Sequence, residues 1–146
     1  VPERCMKVKV GQDVVFNGIA RGAKEPGLLN PYRHILGTTL LGDVFRCDDE
    51  LSYRLIAPAG RKVVATHPLF ASPYVDIHPR IADRDSLLFL LRDGDTTRFQ
   101  ELALRYDVTR IALKVGEEEP PHAAFGMRPE YANDTIALYR WPVRSR

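Results

Sequence analysis

Two patterns of apolar positions dominate the chain. At Lys62-Val63-Val64-Ala65-Thr66 the apolar residues are consecutive, as in a strand covered on both faces. At Thr109 to Val115 they alternate: Thr109, Ile111, Leu113 and Val115 against Arg110, Ala112 and Lys114. Between them, Phe99, Leu102, Ala103 and Tyr106 recur at helical spacing, which predicts an amphipathic helix over 96–106. Asp107 closes that helix where a left-handed residue is expected. Asp83 and Asp85 stand where a helix N-cap is wanted before Leu87-Leu88-Phe89-Leu90-Leu91, and Asp93-Gly94-Asp95 breaks and recaps the run. Tyr74-Val75-Asp76-Ile77 reads as a second strand, bounded by Pro73 and His78-Pro79. Thr135 to Trp141 reads as a closing strand that pairs with Thr109–Val115.

Upstream of this unit the signals are shorter. Lys7-Val8-Lys9-Val10 alternates, and Val14-Val15-Phe16 is β-prone; the breakers from Asn17 to Gly27 form a loop. Asn30-Pro31 has the form of a helix start, with Tyr32, Ile35, Leu36 and Leu40 near one face. Asp48 predicts a second start, with Leu51, Leu55 and Ile56 buried and Pro58-Ala59-Gly60 ending it. The expected fold is a single α/β domain over 1–146 with a mixed, mostly parallel sheet flanked by helices. Its core unit is 58–141, and 1–57 is an N-terminal part whose packing the pattern leaves open. Lys62–Thr66 and Thr109–Val115 are expected as central strands.

Composition changes this picture little. The chain has 146 residues, 45% hydrophobic and 27% charged, which suffices for one ordinary core. A net charge of +2 with no dense run of Lys and Arg gives no basis for a nucleic-acid partner. The longest apolar run, Leu87 to Leu91, is far short of the ~20 residues of a spanning helix. There is no secretory leader pattern, and the start at Val1 reads as an excised domain or a processed product. Cys5 and Cys47 can form one disulfide in an oxidising compartment, or stand as two separate thiols.

Candidate chemistry is sparse. His67, Asp76 and His78 combine imidazole and carboxylate at strand ends, the makings of a divalent-metal set. Both histidines precede proline, so loop termination explains them equally well. Asp83-Arg84-Asp85 has the D-x-D form used to hold a metal against a diphosphate, but helix capping asks for the same residues. Tyr74, Tyr131 and Trp141 could stack on a sugar ring; aromatics at strand positions are more often core. No serine-hydrolase elbow, Walker loop or dinucleotide fingerprint occurs, so no catalytic residue and no cofactor is assigned.

From Pro58 to Trp141 the order of features resembles a known group. It runs through Pro58-Ala59-Gly60-Arg61-Lys62-Val63-Val64-Ala65 and the aromatic, proline-rich Pro68-Leu69-Phe70-Ala71-Ser72-Pro73-Tyr74. Phe99 to Leu113 follows, and Asn133 to Arg140 closes it. This order is similar to that of the soluble extracytoplasmic regions of polytopic GT-C-type glycosyltransferases, which include arabinofuranosyl- and mannosyltransferases. Asp107 departs from the glycine usual in their helix, Tyr-Gly-Val, strand signature. The resemblance implies a larger membrane enzyme that uses a polyprenyl-phosphate sugar donor in cell-envelope glycan or glycoprotein synthesis. It implies a non-catalytic accessory domain at the extracytoplasmic face of the plasma membrane. The implied partners are the membrane-embedded remainder of the same polypeptide and a glycan acceptor. The family's catalytic acidic residue lies between early membrane helices, so no catalytic position transfers. The rival expectation is a stand-alone α/β enzyme or ligand-binding module using His67, Asp76 and His78.

Overall fold

The computed structural model describes residues 27–142. The predicted elements at Lys7–Val10 and Val14–Phe16, the loop from Asn17, and Cys5 with its pairing lie outside the described residues.

The described chain opens with α1 (Leu29–Thr38), which leads into β1 (Val44–Arg46). Then come α2 (Asp49–Leu51), continuing as a π-helical turn over Ser52–Ile56, and β2 (Lys62–Val63). Two helices, α3 (His78–Asp93) and α4 (Thr96–Arg105), precede β3 (Val108–Lys114). The chain closes with β4 (Pro129–Ala132) and β5 (Ile136–Arg140). The five strands form one sheet in the order β2-β1-β3-β5-β4. β1 runs parallel to β2 and β3, whereas β5 is antiparallel to both β3 and β4.

The sheet is therefore evenly mixed, not mostly parallel. Lys62–Thr66 also corrects the expectation of a central strand. Only Lys62 and Val63 pair as β2, at one edge, because the chain beyond Val63 turns away into the loop to α3. Val64 and Ala65 are buried all the same, and Val64 N–H still donates to Phe45 O at 3.1 Å. Apolar continuity here reports burial rather than position in the sheet. The central strand beside β3 is Val44-Phe45-Arg46, all three buried. β3 is central and pairs with β5 as expected.

Alternate residues feed two cores on opposite faces. One joins Phe45, Ala112, Ile136 and Leu138 to Tyr32, Ile35, Leu51, Leu55 and Ile56 of α1 and α2. The other joins Ile111, Leu113, Ala137 and Tyr139 to Leu87, Leu91, Phe99 and Ala103 of α3 and α4. The loss of either apolar layer would expose the sheet on that face.

Helix boundaries follow local chemistry with three corrections. Asp48 caps α2 through its carboxylate, which accepts from Leu51 N–H at 2.8 Å. Asp95 caps α4 by accepting from Arg98 N–H at 3.0 Å. α1, however, begins at Leu29, with Leu28 in the cap position and no side-chain cap, so Asn30 is not the cap. Of its proposed apolar face Tyr32 and Ile35 are buried, while Leu36 is exposed and Leu40 lies beyond the helix. Asp83 and Asp85 are not caps either. α3 starts at His78, helped by Pro79 in its first turn, and both aspartates lie inside it. Tyr74–Ile77 forms no strand: Tyr74 is 95% exposed and has no neighbouring strand to pair with. Gly94 and Asp107 both take the left-handed conformation at helix ends, with φ of 87° and 53°.

Arg61 locks α1 to the entrance of β2. Its guanidinium donates to Thr39 Oγ1 at 2.8 Å, Thr39 O at 2.9 Å and Ala59 O at 2.7 Å. A cation at the carbonyl end of a helix satisfies orphan acceptors and complements the dipole.

Candidate functional site

In an open α/β sheet the usual ligand position is the crevice at the carboxyl ends of the strands, where strand order reverses. Here that place lies between β1 and β3, since the chain leaves β1 toward β2 and then returns across to β3. Arg46 ends β1 and Lys114 ends β3. Arg46 is 1% exposed; its Nη1 lies 3.3 Å from Glu118 Oε1. Lys114 Nζ meets Asp48 at 2.7 Å, Glu117 at 2.7 Å and Glu50 at 3.2 Å. Glu50 also receives Arg54 at 2.6 Å. Arg84, from the middle of α3, joins Asp49 and Asp85.

The electrostatics follow from these contacts. Hydrogen bonds to Asp48 and Glu117 push the Lys114 ammonium well above its ordinary value. The Arg54 and Lys114 hydrogen bonds hold Glu50 below its own. Burial works against the charge of Arg84, but Asp85 and Asp49 outweigh it and raise its pKa. The cations of the crevice are thus consumed by carboxylates of the same chain. A small concavity of about 180 Å³ beside Lys114, Glu50 and Glu117 remains. The arrangement is a self-neutralised clamp that ties α2, α3 and the loop after β3 to the strand ends.

The proposed metal set does not converge. Asp76 Oδ1 accepts from His78 N–H at 3.1 Å and lies 2.8 Å from its Nδ1, on a surface where both side chains are more than two-thirds exposed. The His78 hydrogen bond holds the Asp76 carboxyl below its ordinary value. His67 does something else: its Nδ1 accepts from Leu69 N–H at 3.2 Å. Among the described residues, no three His, Cys, Asp or Glu side chains are grouped as metal ligands are. The D-x-D pair is equally divided. Asp85 holds Arg84, and Asp83 accepts from Arg105 and from the Tyr106 hydroxyl, the latter at 2.5 Å.

The aromatic candidates part company as well. Tyr74 stands free on the surface. Tyr131, on edge strand β4, is half-buried against His34, ring centroids 5.0 Å apart. Trp141 is half-buried at the end of β5, 4.8 Å from the buried Phe99 ring and 5.8 Å from Phe125. Cys47 has no disulfide partner among the described residues; it is buried in the α1/α2 core, and burial pushes its thiol far up, which keeps it protonated and poor as a nucleophile.

A short helical turn is legible before Pro73, but sequence reasoning missed its match after His122. His67-Pro68-Leu69-Phe70 and His122-Ala123-Ala124-Phe125 each form a short 3-10 turn capped by the histidine, whose Nδ1 accepts the N–H two residues on. The shared spacing of His and Phe was the available signal. Each turn presents its Phe to another ring, Tyr53 in the first case and Trp141 in the second. The first borders an apolar concavity of about 330 Å³ lined by Ser52, Tyr53, Pro58, Thr66, His67 and Phe70, among others. Leu69, Phe70, Tyr74 and Val75 are exposed along the same loop, at 83%, 67%, 95% and 55%. Among the described residues no helix is long and apolar enough to cross a membrane. Comparison with protein families, with curated proteins and with solved structures finds no match to this chain.

Proposed function

We propose that this chain is a non-catalytic accessory domain of an integral-membrane glycosyltransferase that uses a polyprenyl-phosphate sugar donor. In this reading it stands at the extracytoplasmic face and serves cell-envelope glycan or glycoprotein synthesis. It meets the membrane-embedded remainder of the same polypeptide and positions an acceptor glycan or a partner. One observation supports a binding role over a catalytic one: the charged groups at the strand ends are engaged with each other, while the loop from His67 to Val75 offers Leu69, Phe70 and Tyr74 to solvent. Exposed apolar patches of this kind mark interaction surfaces.

The test uses the full-length protein and the 146-residue chain side by side. The chain alone is expected to transfer no sugar from polyprenyl-phosphate donors. The full-length enzyme is expected to lose most of its transfer when Leu69 and Phe70 are both replaced by Ser, with the fold intact by circular dichroism because both side chains are exposed. Full transfer after deletion of the whole domain would defeat the proposal.

A further inference from the structure

We propose that the aromatic corner around Trp141 is a binding site for one ring of a neutral glycan. Phe99, fully buried, supports both other rings edge-on, at 4.8 Å from Trp141 and 5.1 Å from Phe125. Trp141 and Phe125 meet at 64°, so two half-buried aromatic walls form an open corner. The hollow they bound holds about 270 Å³ and is also lined by Thr96, Gln100 and Met127. That is small for a ligand site and matches a single sugar ring better than a nucleotide.

Two features narrow the ligand chemistry. Among the described residues the lining carries no charged side chain: it includes Thr96, Gln100, Ala124, Phe125, Met127, Trp141 and Pro142. A phosphate or carboxylate entering it would lose hydration without gaining a counter-charge from these residues. The lining is not simply apolar either. The Gln100 amide, the Thr96 hydroxyl and the Trp141 indole N–H have no hydrogen-bond partner among the described residues. A sugar ring has an apolar C–H face bordered by hydroxyls, each able to donate and accept. Its face suits the indole plane, and its hydroxyls suit the free amide, hydroxyl and N–H. The corner is held by α4, whose first turn supplies Thr96 and Gln100, and by the histidine-capped turn that supplies Phe125. It is built on fixed elements before any ligand arrives, which lowers the ordering cost of binding.

The inference depends on the accessory reading above for why a glycan is close by, but its chemistry stands on these residues alone. Trp141 is the only tryptophan in the chain, so its indole N–H resonance reports on this one place. The 146-residue chain is titrated with methyl mannopyranoside, methyl arabinofuranoside and their neutral disaccharides, with glucose 1-phosphate and AMP as charged controls. A saturable shift of the indole resonance with at least one neutral sugar is expected, and it should be weaker with the charged controls. Gln100→Ala is expected to weaken binding about three- to tenfold, the effect of one lost hydrogen bond, without changing the melting temperature. No saturable shift with any neutral sugar would overturn the site, as would equal affinity for the charged controls or an undiminished response in Gln100→Ala. If sugar fails to bind while full-length transfer still requires the domain, the site falls and the accessory role stands. If sugar binds while domain deletion leaves transfer intact, the accessory role falls and the site stands.

Discussion

Asp107 sits at φ 53°, a conformation that favours glycine because a Cβ crowds the following carbonyl. Its backbone N–H donates to Leu104 O at 3.3 Å, closing the last turn before β3. Asp107→Gly is therefore expected to be neutral or to stabilise the protein by up to about 1 kcal/mol, read as an equal or higher urea midpoint at unchanged slope. Asp43 carries a second residue-scale expectation. Burial pushes its carboxyl up, yet Leu40 N–H, the Thr109 hydroxyl and Arg110 outweigh burial and hold its pKa below the ordinary 3.8. A depressed folded-state pKa gives stability that is present above the unfolded value and lost as pH falls through the folded one. Glu50 is shifted in the same direction. Unfolding free energy should accordingly decline as pH drops below about 4, and Asp43→Asn should lower stability at neutral pH and flatten that acid limb. Urea melts from neutral pH to about pH 3 measure both.

At the scale of elements, the same physics explains what the sequence revealed and what it hid. α4 and β3 were legible because each is long enough to show its own period, and the left-handed stop at Asp107 follows from the short reversal between them. β1 was hidden. Three residues ending in arginine show no alternation, and the buried Arg46 is met by partners far along the chain: Arg84 O, 38 positions away, and Glu118, 72 positions away. Asp83 and Asp85 look like caps to any local rule; their partners Tyr106 and Arg84 assign them otherwise, and only folding brings Tyr106 to Asp83. Tyr74–Ile77 has strand composition without a strand neighbour, so propensity alone misleads there. In the candidate site, Trp141 was visible as an aromatic, but its corner with Phe125 requires the turn after His122. Arg61 shows how one side chain can join two elements. Arg61→Ala removes two hydrogen bonds to Thr39 at the end of α1 and one to Ala59 O, and should cost about 1–3 kcal/mol in a denaturant melt. Arg61→Lys should recover only part of that, since an ammonium lacks the planar fork.

At the scale of the whole molecule, strand order sets the sequence of events by which the chain comes together. The β4–β5 hairpin turns through Asn133, whose side chain accepts from Thr135 and Ile136 N–H at 2.8 Å each, so this half of the sheet is built from neighbours. The other half is not. Val44 N–H bonds Thr109 Oγ1 across 65 positions, and β1 cannot meet its inner neighbour until α2, β2, α3 and α4 have all been laid down. Closing so long a loop costs entropy before any contact repays it, which slows collapse of the parallel side. On the ribosome, the apolar faces of Tyr32, Ile35 and Phe45 emerge early and must wait for Ala112, Ile136 and Leu138. During that interval the nascent chain carries an unfinished edge and a bare half-core, the surfaces a chaperone recognises.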